Sequence, residues 1–225
     1  MQKPSVITID GPSGSGKGTI AQLLAKKLGW HFLDSGALYR AIAWAVLHEQ
    51  VDPLDHFALQ KMIQRINITM QADDISHEAK IFYNNQDITS EIRSEACGQM
   101  ASITSAIPLV RAALLDRQRL MRKPPGLVTD GRDMGTVVFP DALLKFYFLG
   151  SIEERARRRY KQLKQKGKDV TLRDVQEELR VRDERDANRV IAPAKPAADV
   201  VLIDTTRLNI DGVFQAVWQQ VQKAL

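Results

Sequence analysis

One stretch near the start of the chain restricts its fold more than any other. It begins with a short apolar run, Val6 to Asp10, and ends in the helical apolar pattern from Ile20 to Leu28. Between the two stand Gly11, Pro12, Ser13, Gly14, Ser15, Gly16, Lys17, Gly18 and Thr19. Glycine adopts the dihedral angles that turn several backbone N–H groups inward, and the next helix points its own unpaired N–H groups at the same place. The sequence therefore predicts a strand, a phosphate-binding loop and a helix.

The loop has the groups that a triphosphate requires. Lys17 adds a mobile positive charge for the outer phosphates, and we expect all nine residues of the loop to contact ATP. The usual pattern places serine or threonine directly after the lysine to hold a metal ion, but this chain has Gly18 there and a hydroxyl only at Thr19. We therefore expect Mg²⁺ to come with ATP, held largely by water and phosphates, and we predict no metal site made by the protein alone.

Apolar runs typical of buried strands alternate with helical patterns along the chain. The runs are Val6 to Asp10, His31 to Asp34, Gly126 to Asp130, Lys145 to Leu149 and Asp199 to Asp204. This alternation predicts an α/β fold of the P-loop NTPase type, with a five-stranded parallel sheet and helices on both faces.

Two stretches depart from that alternation. Residues 66–92 alternate apolar and polar positions around the expected turn Asn84-Asn85-Gln86-Asp87, which indicates a small antiparallel β insert. Two charged helices, 152–165 and 172–188, are joined by Lys166-Gly167-Lys168 and are typical of a movable lid. We predict a single domain, 1–225, with core 1–65 and 93–225, the insert at 66–92 and the lid region at 151–190.

Composition excludes several classes of protein. The strand at Val6 leaves no room for a signal or transit peptide, and no apolar run approaches the ~20 residues of a membrane span, so we expect a cytoplasmic protein without membrane contact. The net charge is +5, but residues 155–189 alone carry 13 basic and 7 acidic side chains, a net +6. A confined basic segment favours closure over phosphates rather than binding along a nucleic acid. We expect no nucleic-acid partner and a monomer.

Histidine, cysteine and metal chemistry have little support. The four histidines are scattered without metal-ligand spacing, and Cys97 has no neighbouring histidine to activate it.

Several polar residues follow the predicted strands. Because ligands of parallel sheets bind beyond the carboxyl ends of the strands, we expect Asp10, Asp34 and Asp130 near one crevice, although each is also compatible with a loop or cap position. Arg40 lies about one turn into the helix after Asp34 and is a candidate for an acceptor phosphate. Arg132 and Asp133 follow the third strand, where an ion pair and a binding role are both possible.

The last lid helix carries Arg182, Asp186 and Arg189 at i, i+4 and i+7, so the three are predicted to share one face. A surface salt-bridge ladder explains this spacing by itself. The lid position favours arginines that neutralise a transferring phosphoryl group.

Taken together, these motifs resemble the bacterial cytidylate kinases, within the nucleoside monophosphate kinases, over essentially the whole chain. The blocks that carry the resemblance are 7–19, Leu33 to Ala37, Asp130 to Pro140 and Arg182 to Arg189. The phosphate loop is shared with many kinases, whereas the block from Asp130 to Pro140 is specific to this family.

The resemblance implies transfer of the terminal phosphoryl group of ATP to CMP or dCMP, with residues 66–92 in the monophosphate-binding region. It assigns cytosine reading to Ser102, Arg111 and Asp133, sugar contacts to Ser35, Asp186 and Arg189, and phosphate contacts to Arg40, Arg132 and Arg182. Among the lid arginines it favours Arg158 as a further ATP phosphate contact, although Arg155, Arg157 and Arg159 stand beside it.

The chemistry of cytosine agrees with that assignment. Cytosine presents an amino donor and a ring acceptor, which a carboxylate (Asp133) and cationic or hydroxyl donors (Arg111, Ser102) complement, and uracil reverses this pattern. The CMP phosphate is already anionic near neutral pH and needs no general base, so Lys17, Arg132 and Arg182 are expected to act through charge.

Two other functions fit parts of the sequence. A kinase that phosphorylates a small-molecule hydroxyl shares this fold, and Asp34 is then the candidate base. A nucleotide-gated switch or nucleic-acid-binding ATPase is disfavoured, because the chain lacks an Asn-Lys-x-Asp motif and the basic segment has no interleaved aromatic residue beyond Tyr160.

Overall fold

The computed structural model describes residues 3–72 and 79–225. The strands are β1 (Ser5–Asp10), β2 (His31–Asp34), β3 (Ile68–Ala72), β4 (Ala79–Tyr83), β5 (Gln86–Asp87), β6 (Gly126–Gly131), β7 (Leu144–Leu149) and β8 (Val201–Asp204). The α-helices are α1 (Lys17–Leu28), α2 (Ser35–His48), α3 (His56–Arg65), α4 (Glu95–Thr104), α5 (Pro108–Leu120), α6 (Ile152–Gln165), α7 (Leu172–Ala187) and α8 (Ile210–Ala224). The chain divides into two compact units, one of residues 1–33 and 121–225 and the other of residues 34–120.

A five-stranded parallel sheet organises the first unit. Its strand order is β2-β6-β1-β7-β8, with β1 between β6 and β7 in parallel register. All five predicted strands form within two residues of their expected bounds, so this part of the prediction is confirmed. Central position leaves β1 without an exposed edge, and the carboxyl ends of its neighbours lie beside the start of the phosphate loop.

One face of this sheet is covered by α1 and α8. Ile7 and Ile9 of β1 and Phe146 and Phe148 of β7 pack with apolar residues of α1 and α8, and all four are fully buried. These are alternate residues of each strand, so their side chains lie on the same face of the sheet and hold the helix that begins at Lys17. The core therefore fixes the position of the phosphate loop.

The paired helices of the predicted lid also belong to the first unit. α6 and α7 have a small core of their own, formed by Ala156, Leu163, Val175 and Leu179. Their bounds match the prediction, except that α7 ends at Ala187 rather than at residue 188.

The second unit contains α2 to α5 and a three-stranded antiparallel sheet, β3-β4-β5. The predicted antiparallel insert is thus confirmed, with residues 73–78 of the range 66–92 lying outside the described residues. The expected four-residue turn is wrong in one respect. Asn84 and Asn85 alone turn the chain, both with positive φ, whereas Gln86 and Asp87 already pair with β4.

Among the described residues, no helix is both long enough and apolar enough to cross a membrane.

Candidate active site

The phosphate loop leads directly from β1 into α1. Gly11 has φ 148°, and a Cβ there would stand 2.6 Å from the Phe148 carbonyl oxygen, so only glycine allows β1 to turn this close to β7. Gly16 caps α1 in the left-handed conformation without a side-chain hydrogen bond, and the first turn of α1 has no acidic residue. The helix therefore presents its N-terminal N–H groups and positive dipole end to an anion.

Lys17 is buried within this loop. Its ammonium donates to the Pro12 carbonyl oxygen at 2.9 Å, and only 8% of the residue is exposed. Burial, together with the nearby positive charges of Arg132 and Arg182, lowers the pKa of Lys17 to about 7, against the opposing effect of Asp130 and Asp183. The predicted catalytic residues Lys17, Arg132 and Arg182 are thus close enough to interact electrostatically.

Arg132 is held by a carboxylate of α7. Its Nε donates to Asp186 Oδ2 at 3.0 Å, and another guanidinium nitrogen donates to the Gly131 carbonyl oxygen at 3.2 Å. Burial by itself would lower the pKa of Arg132, but Asp186, Asp183 and Asp130 more than compensate and raise it. Burial would likewise raise the pKa of Asp186, yet Arg132, Arg182 and Arg189 keep it below its usual value. Both groups are charged at neutral pH.

Arg189 does not lie on α7. The helix ends at Ala187, where the Asn188 N–H donates to the Glu184 carbonyl, so the predicted i+7 position on one helical face is wrong. The chain turns instead through Ala192, which has positive φ, and the Arg189 guanidinium donates to the Ala192 carbonyl oxygen at 2.8 Å. Arg189 still interacts with Asp186, because the turn folds back onto the end of α7.

A second carboxylate of α7 is tied to the phosphate loop. Asp183 accepts from the backbone N–H of Ser13 at 3.3 Å and from the Arg155 guanidinium. Arg155 also donates to the Ser13 carbonyl at 3.0 Å and to the Gly150 carbonyl at 2.9 Å. Arg155 and Asp183 therefore clamp α6 and α7 to the loop. The sequence did not predict this clamp: it presents Arg155 only as an alternative to Arg158 among the lid arginines, and it gives Asp183 no role.

Arg158 borders a cavity of about 530 Å³ beside the phosphate loop. Its guanidinium donates to the Thr205 carbonyl at 2.6 Å and pairs with Glu154 at 3.5 Å. Thr19 and Arg159 also line this cavity, together with the apolar residues Ile20, Leu208, Ile210 and Val213. Arg157 is mostly exposed and Arg155 belongs to the clamp, so of the four neighbouring arginines Arg158 and Arg159 line this cavity. Residues 208–213 were missed because their helical pattern alone carries no sign of a cavity.

Asp133 precedes an irregular turn. The residue is 2% exposed, and its carbonyl oxygen accepts the N–H groups of Val137 and Val138 in the π-helical turn Met134–Val138. Asp10, at the end of β1, accepts both Met134 N–H at 2.9 Å and Gly135 N–H at 2.8 Å. Asp10 therefore contacts the backbone of the turn that directly follows Asp133, a contact that the sequence did not predict.

The remaining candidate residues lie in the second unit. Asp34 accepts the Ala37 N–H and caps α2, which follows one of the alternatives left open by the sequence, and Ser35 is buried at the first position of α2. Arg40 donates to the carbonyl oxygens of Ile92 and Ser94 at 2.9 and 3.3 Å.

Ser102 and Arg111 lie on α4 and α5 and are both buried. The Arg111 guanidinium donates to the Ser105 carbonyl at 3.3 Å and stands 5.6 Å from the centre of the Tyr39 ring. Tyr39 thus supports the flat face of Arg111, a contact that the sequence did not predict.

Within 3–72 and 79–225, no group of three or more His, Cys, Asp or Glu side chains is arranged to hold a metal ion. Cys97 is buried, and burial raises the pKa of its thiol to about 11, so it is a packing residue.

A parallel sheet with this loop at the end of its central strand, a buried lysine and converging arginines defines a kinase of the P-loop class. A model of the cytidylate kinase family matches residues 7–223. Accordingly, the chain belongs to the cytidylate kinase family.

Similar proteins agree with this placement. The cytidylate kinase of Coxiella burnetii is 54% identical over 99% of this chain and 94% of its own, and that of Stutzerimonas stutzeri is 53% identical over 98% and 97%. An uncharacterised protein from Eubacterium ventriosum superposes with a TM-score of 0.51 at 12% identity, covering 98% of this chain and 99% of its own, which bears on the fold alone.

Proposed function

We propose that this protein transfers the γ-phosphoryl group of ATP to CMP or dCMP and releases ADP with CDP or dCDP. Membership in the cytidylate kinase family supports the reaction. The observation that carries the proposal is the group of cations around the phosphate loop, where the buried Lys17 interacts with Arg132 and Arg182. These are the charges that a transferring phosphoryl group requires.

ATP is assigned to the first unit. The backbone N–H groups of the loop and Lys17 would bind its phosphates, and the cavity beside the loop is the candidate site for its base. An apolar lining of Ile20, Leu208 and Val213 suits a flat aromatic ring. Arg158 borders that cavity and is retained as a phosphate contact.

Three sets of residues are assigned to CMP. Asp133, Arg111 and Ser102 are proposed to read cytosine, because a carboxylate and two donors match its amino group and ring acceptor. Ser35, Asp186 and Arg189 are assigned to the sugar, and Arg40, Arg132 and Arg182 to phosphates. Burial of Asp133, Arg111 and Ser102 supports a role in selection, since a mismatched base would leave buried polar groups unpaired.

Chemistry at this site consists of alignment and charge neutralisation. A CMP phosphate oxygen is already a nucleophile near neutral pH, so no side chain has to remove a proton. Arg132, fixed by Asp186, and Arg182 would hold the phosphoryl group in line, while Lys17 offsets charge on the departing ADP oxygen. Closure of residues 151–190 as a lid would exclude water that otherwise accepts the phosphoryl group.

Kinases of this family use ATP with a divalent metal ion, and we assign that ion as Mg²⁺. The loop offers N–H groups and an ammonium, which donate hydrogen bonds to phosphate oxygens and do not coordinate a cation. These residues therefore fit an ion that is bound by the phosphates of ATP. When bound, the ion neutralises charge on the phosphate oxygens. We further infer a cytoplasmic monomer without nucleic-acid partners, on the basis of composition and substrate class.

A hydroxyl kinase with Asp34 as base is less consistent with the structure. The carboxylate of Asp34 accepts the Ala37 N–H at 3.0 Å as the N-cap of α2, so it already has a structural task.

An ADP-release assay with ATP and Mg²⁺ tests the proposal. We expect turnover with CMP and dCMP and rates at least about tenfold lower with UMP and AMP, because the buried donors and carboxylate favour cytosine. Comparable rates with UMP would contradict the cytosine assignment while keeping the kinase. No rate with any monophosphate would contradict the proposed reaction.

A further inference from the structure

Asp10 is a buried carboxylate that the proposed reaction does not use. It is the last residue of β1, directly before Gly11, and 5% of it is exposed. Its backbone pairs with Gly131 of β6 and Tyr147 of β7, so the side chain departs from a rigid position in the middle of the sheet. Such a position is suited to holding a neighbouring segment.

Each oxygen of the carboxylate holds one backbone N–H group of the turn that follows β6. Oδ1 accepts from Met134 at 2.9 Å and Oδ2 from Gly135 at 2.8 Å. These are the first N–H groups of the π-helical turn Met134–Val138, and a helical turn cannot satisfy its own first donors. Asp10 thus caps this turn from a different strand.

The same turn is pressed against β1 at a second point. A Cβ on Gly135 would stand 2.8 Å from Thr8 Oγ1, so the backbone of the turn passes almost in contact with the strand. Thr8 and Asp10 lie two residues apart and therefore on the same face of β1. Thr8 supplies a surface, whereas Asp10 supplies the hydrogen bonds.

The residues directly before this turn are Arg132 and Asp133, which are assigned to CMP. Asp133 has φ −141° and ψ 23°, outside regular helix or strand, so its direction depends on the hydrogen bonds of the next residues. Fixing the N–H groups of Met134 and Gly135 fixes the peptide planes that follow Asp133. A supporting contact of this kind holds a binding side chain within the small tolerance that recognition needs.

The negative charge of Asp10 allows both of its oxygens to accept a hydrogen bond from the turn. An ionised carboxylate accepts at both oxygens, whereas a protonated carboxyl group or an amide offers only one acceptor to the two N–H groups. Because both oxygens are engaged by the turn, Asp10 is also poorly placed to act as a general base.

We propose that Asp10 is a positioning residue for acceptor selection, holding the turn after β6 so that Arg132 and Asp133 face CMP in the productive geometry. The inference rests on the assignment of Asp133 to cytosine under the proposed function. It adds a residue that selects the substrate without touching it.

The test compares Asp10→Asn with Thr8→Val, a matched change on the same face of β1. Thr8 Oγ1 has no hydrogen-bond partner among the described residues, so valine keeps the shape and removes nothing that holds the turn. For Asp10→Asn we expect the KM for CMP to rise and the preference for CMP over UMP to fall, each by about tenfold, because one N–H group loses its acceptor. The KM for ATP should stay within about twofold, and Thr8→Val should match the wild type in all three quantities.

Amide hydrogen exchange supplies a readout that does not depend on activity. Exchange at Met134 or Gly135 should become about tenfold faster in Asp10→Asn, without a lower melting temperature. Unchanged exchange and unchanged CMP preference would overturn the proposal. A lower melting temperature with equal losses for ATP and CMP would also overturn it, since it indicates support of the fold alone.

Asp133→Asn, measured in parallel, separates this inference from the proposed function. If Asp133→Asn keeps the CMP preference, the assignment of Asp133 to cytosine fails. The exchange result then still decides whether Asp10 holds the turn. If Asp133→Asn loses the preference and Asp10→Asn keeps it, only the inference about Asp10 fails.

Discussion

At the scale of single residues, the site contains charges that the fold would be more stable without. Burial raises the pKa of Asp10 to about 6, although the N–H groups of Gly135 and Met134 and the charge of Lys17 oppose this, and Asp133 adds to it. Burial likewise lowers the pKa of Lys17. Side chains that are ionised at a cost in stability are characteristic of functional positions.

A dependence of stability on pH follows from Asp10. Its pKa is higher in the folded protein than the ordinary value of 3.8, so the folded state binds the proton more tightly and this carboxyl loses stabilising free energy as pH rises from about 4 to 6. Relative to Asp10→Asn, the wild type should gain about 1 kcal/mol of unfolding free energy when pH is lowered from 7 to 5. Denaturant unfolding of both proteins at the two pH values measures this difference.

The comparison with Asp10→Asn cancels most other titrations. Groups that face Asp10, namely Asp133, Lys17 and Tyr147, are present in both proteins. The unfolding free energy of the wild type minus that of Asp10→Asn should increase between pH 7 and pH 5. A value that stays constant or decreases over this range would contradict the raised pKa.

At the scale of secondary-structure elements, one ion pair links the helices α6 and α7 to the phosphate loop. The side chain of Arg155 is 8% exposed and that of Asp183 is 21% exposed, and Asp183 also accepts the Ser13 N–H. The pair of Arg180 and Glu177, also on α7, is exposed to solvent and is therefore expected to stabilise the fold less. The clamp is therefore expected to contribute to the stability of the loop and its helices together.

Asp183→Asn should lower the free energy of unfolding by about 2 kcal/mol, because it leaves the buried Arg155 guanidinium without its charged partner. Glu177→Gln is the matched control on the same helix, and its effect should stay within about 0.5 kcal/mol since that pair is exposed. Chemical unfolding monitored by circular dichroism gives both values. Equal effects of the two changes would show that the clamp contributes no more than a surface pair.

The elements themselves were readable from the sequence because their signals are local. Five short apolar runs between helical patterns were sufficient to locate the sheet, and the glycines with Lys17 located the loop. The polar character of Gln86 and Asp87 is typical of a turn, but hydrogen bonds to β4 override that preference. The helical spacing predicts Arg189 on α7, because that spacing continues past the residue at which the backbone ends the helix.

Contacts between distant segments could not be read in this way. Asp10 meets Met134 across 124 residues, and Arg155 meets Ser13 across 142, and neither pair has a spacing that a local pattern can express. Tyr39, which supports Arg111, is also far from it in the sequence. The sequence thus points to the groups that are proposed for the reaction, and the fold was needed to identify the groups that hold them.

At the scale of the whole molecule, the chain separates into two units with different contents. The first holds the phosphate loop, the α6 and α7 pair, and the residues Arg132, Asp133, Arg182, Asp186 and Arg189. The second holds Ser35, Arg40, Ser102 and Arg111, and it contains the antiparallel sheet. On the proposed function, the residues assigned to the ATP phosphates all lie in the first unit.

The central claim is that the cations Lys17 and Arg182 act on the transition state rather than on CMP binding. It is tested by kcat and the equilibrium Kd for CMP in Lys17→Ala and Arg182→Ala, with Arg180→Ala as an exposed control on the same helix as Arg182. We predict that kcat falls by about 100-fold or more in the first two variants while the Kd for CMP changes less than about threefold, and that Arg180→Ala retains both values. An unchanged kcat with only a weaker affinity for CMP would contradict the account.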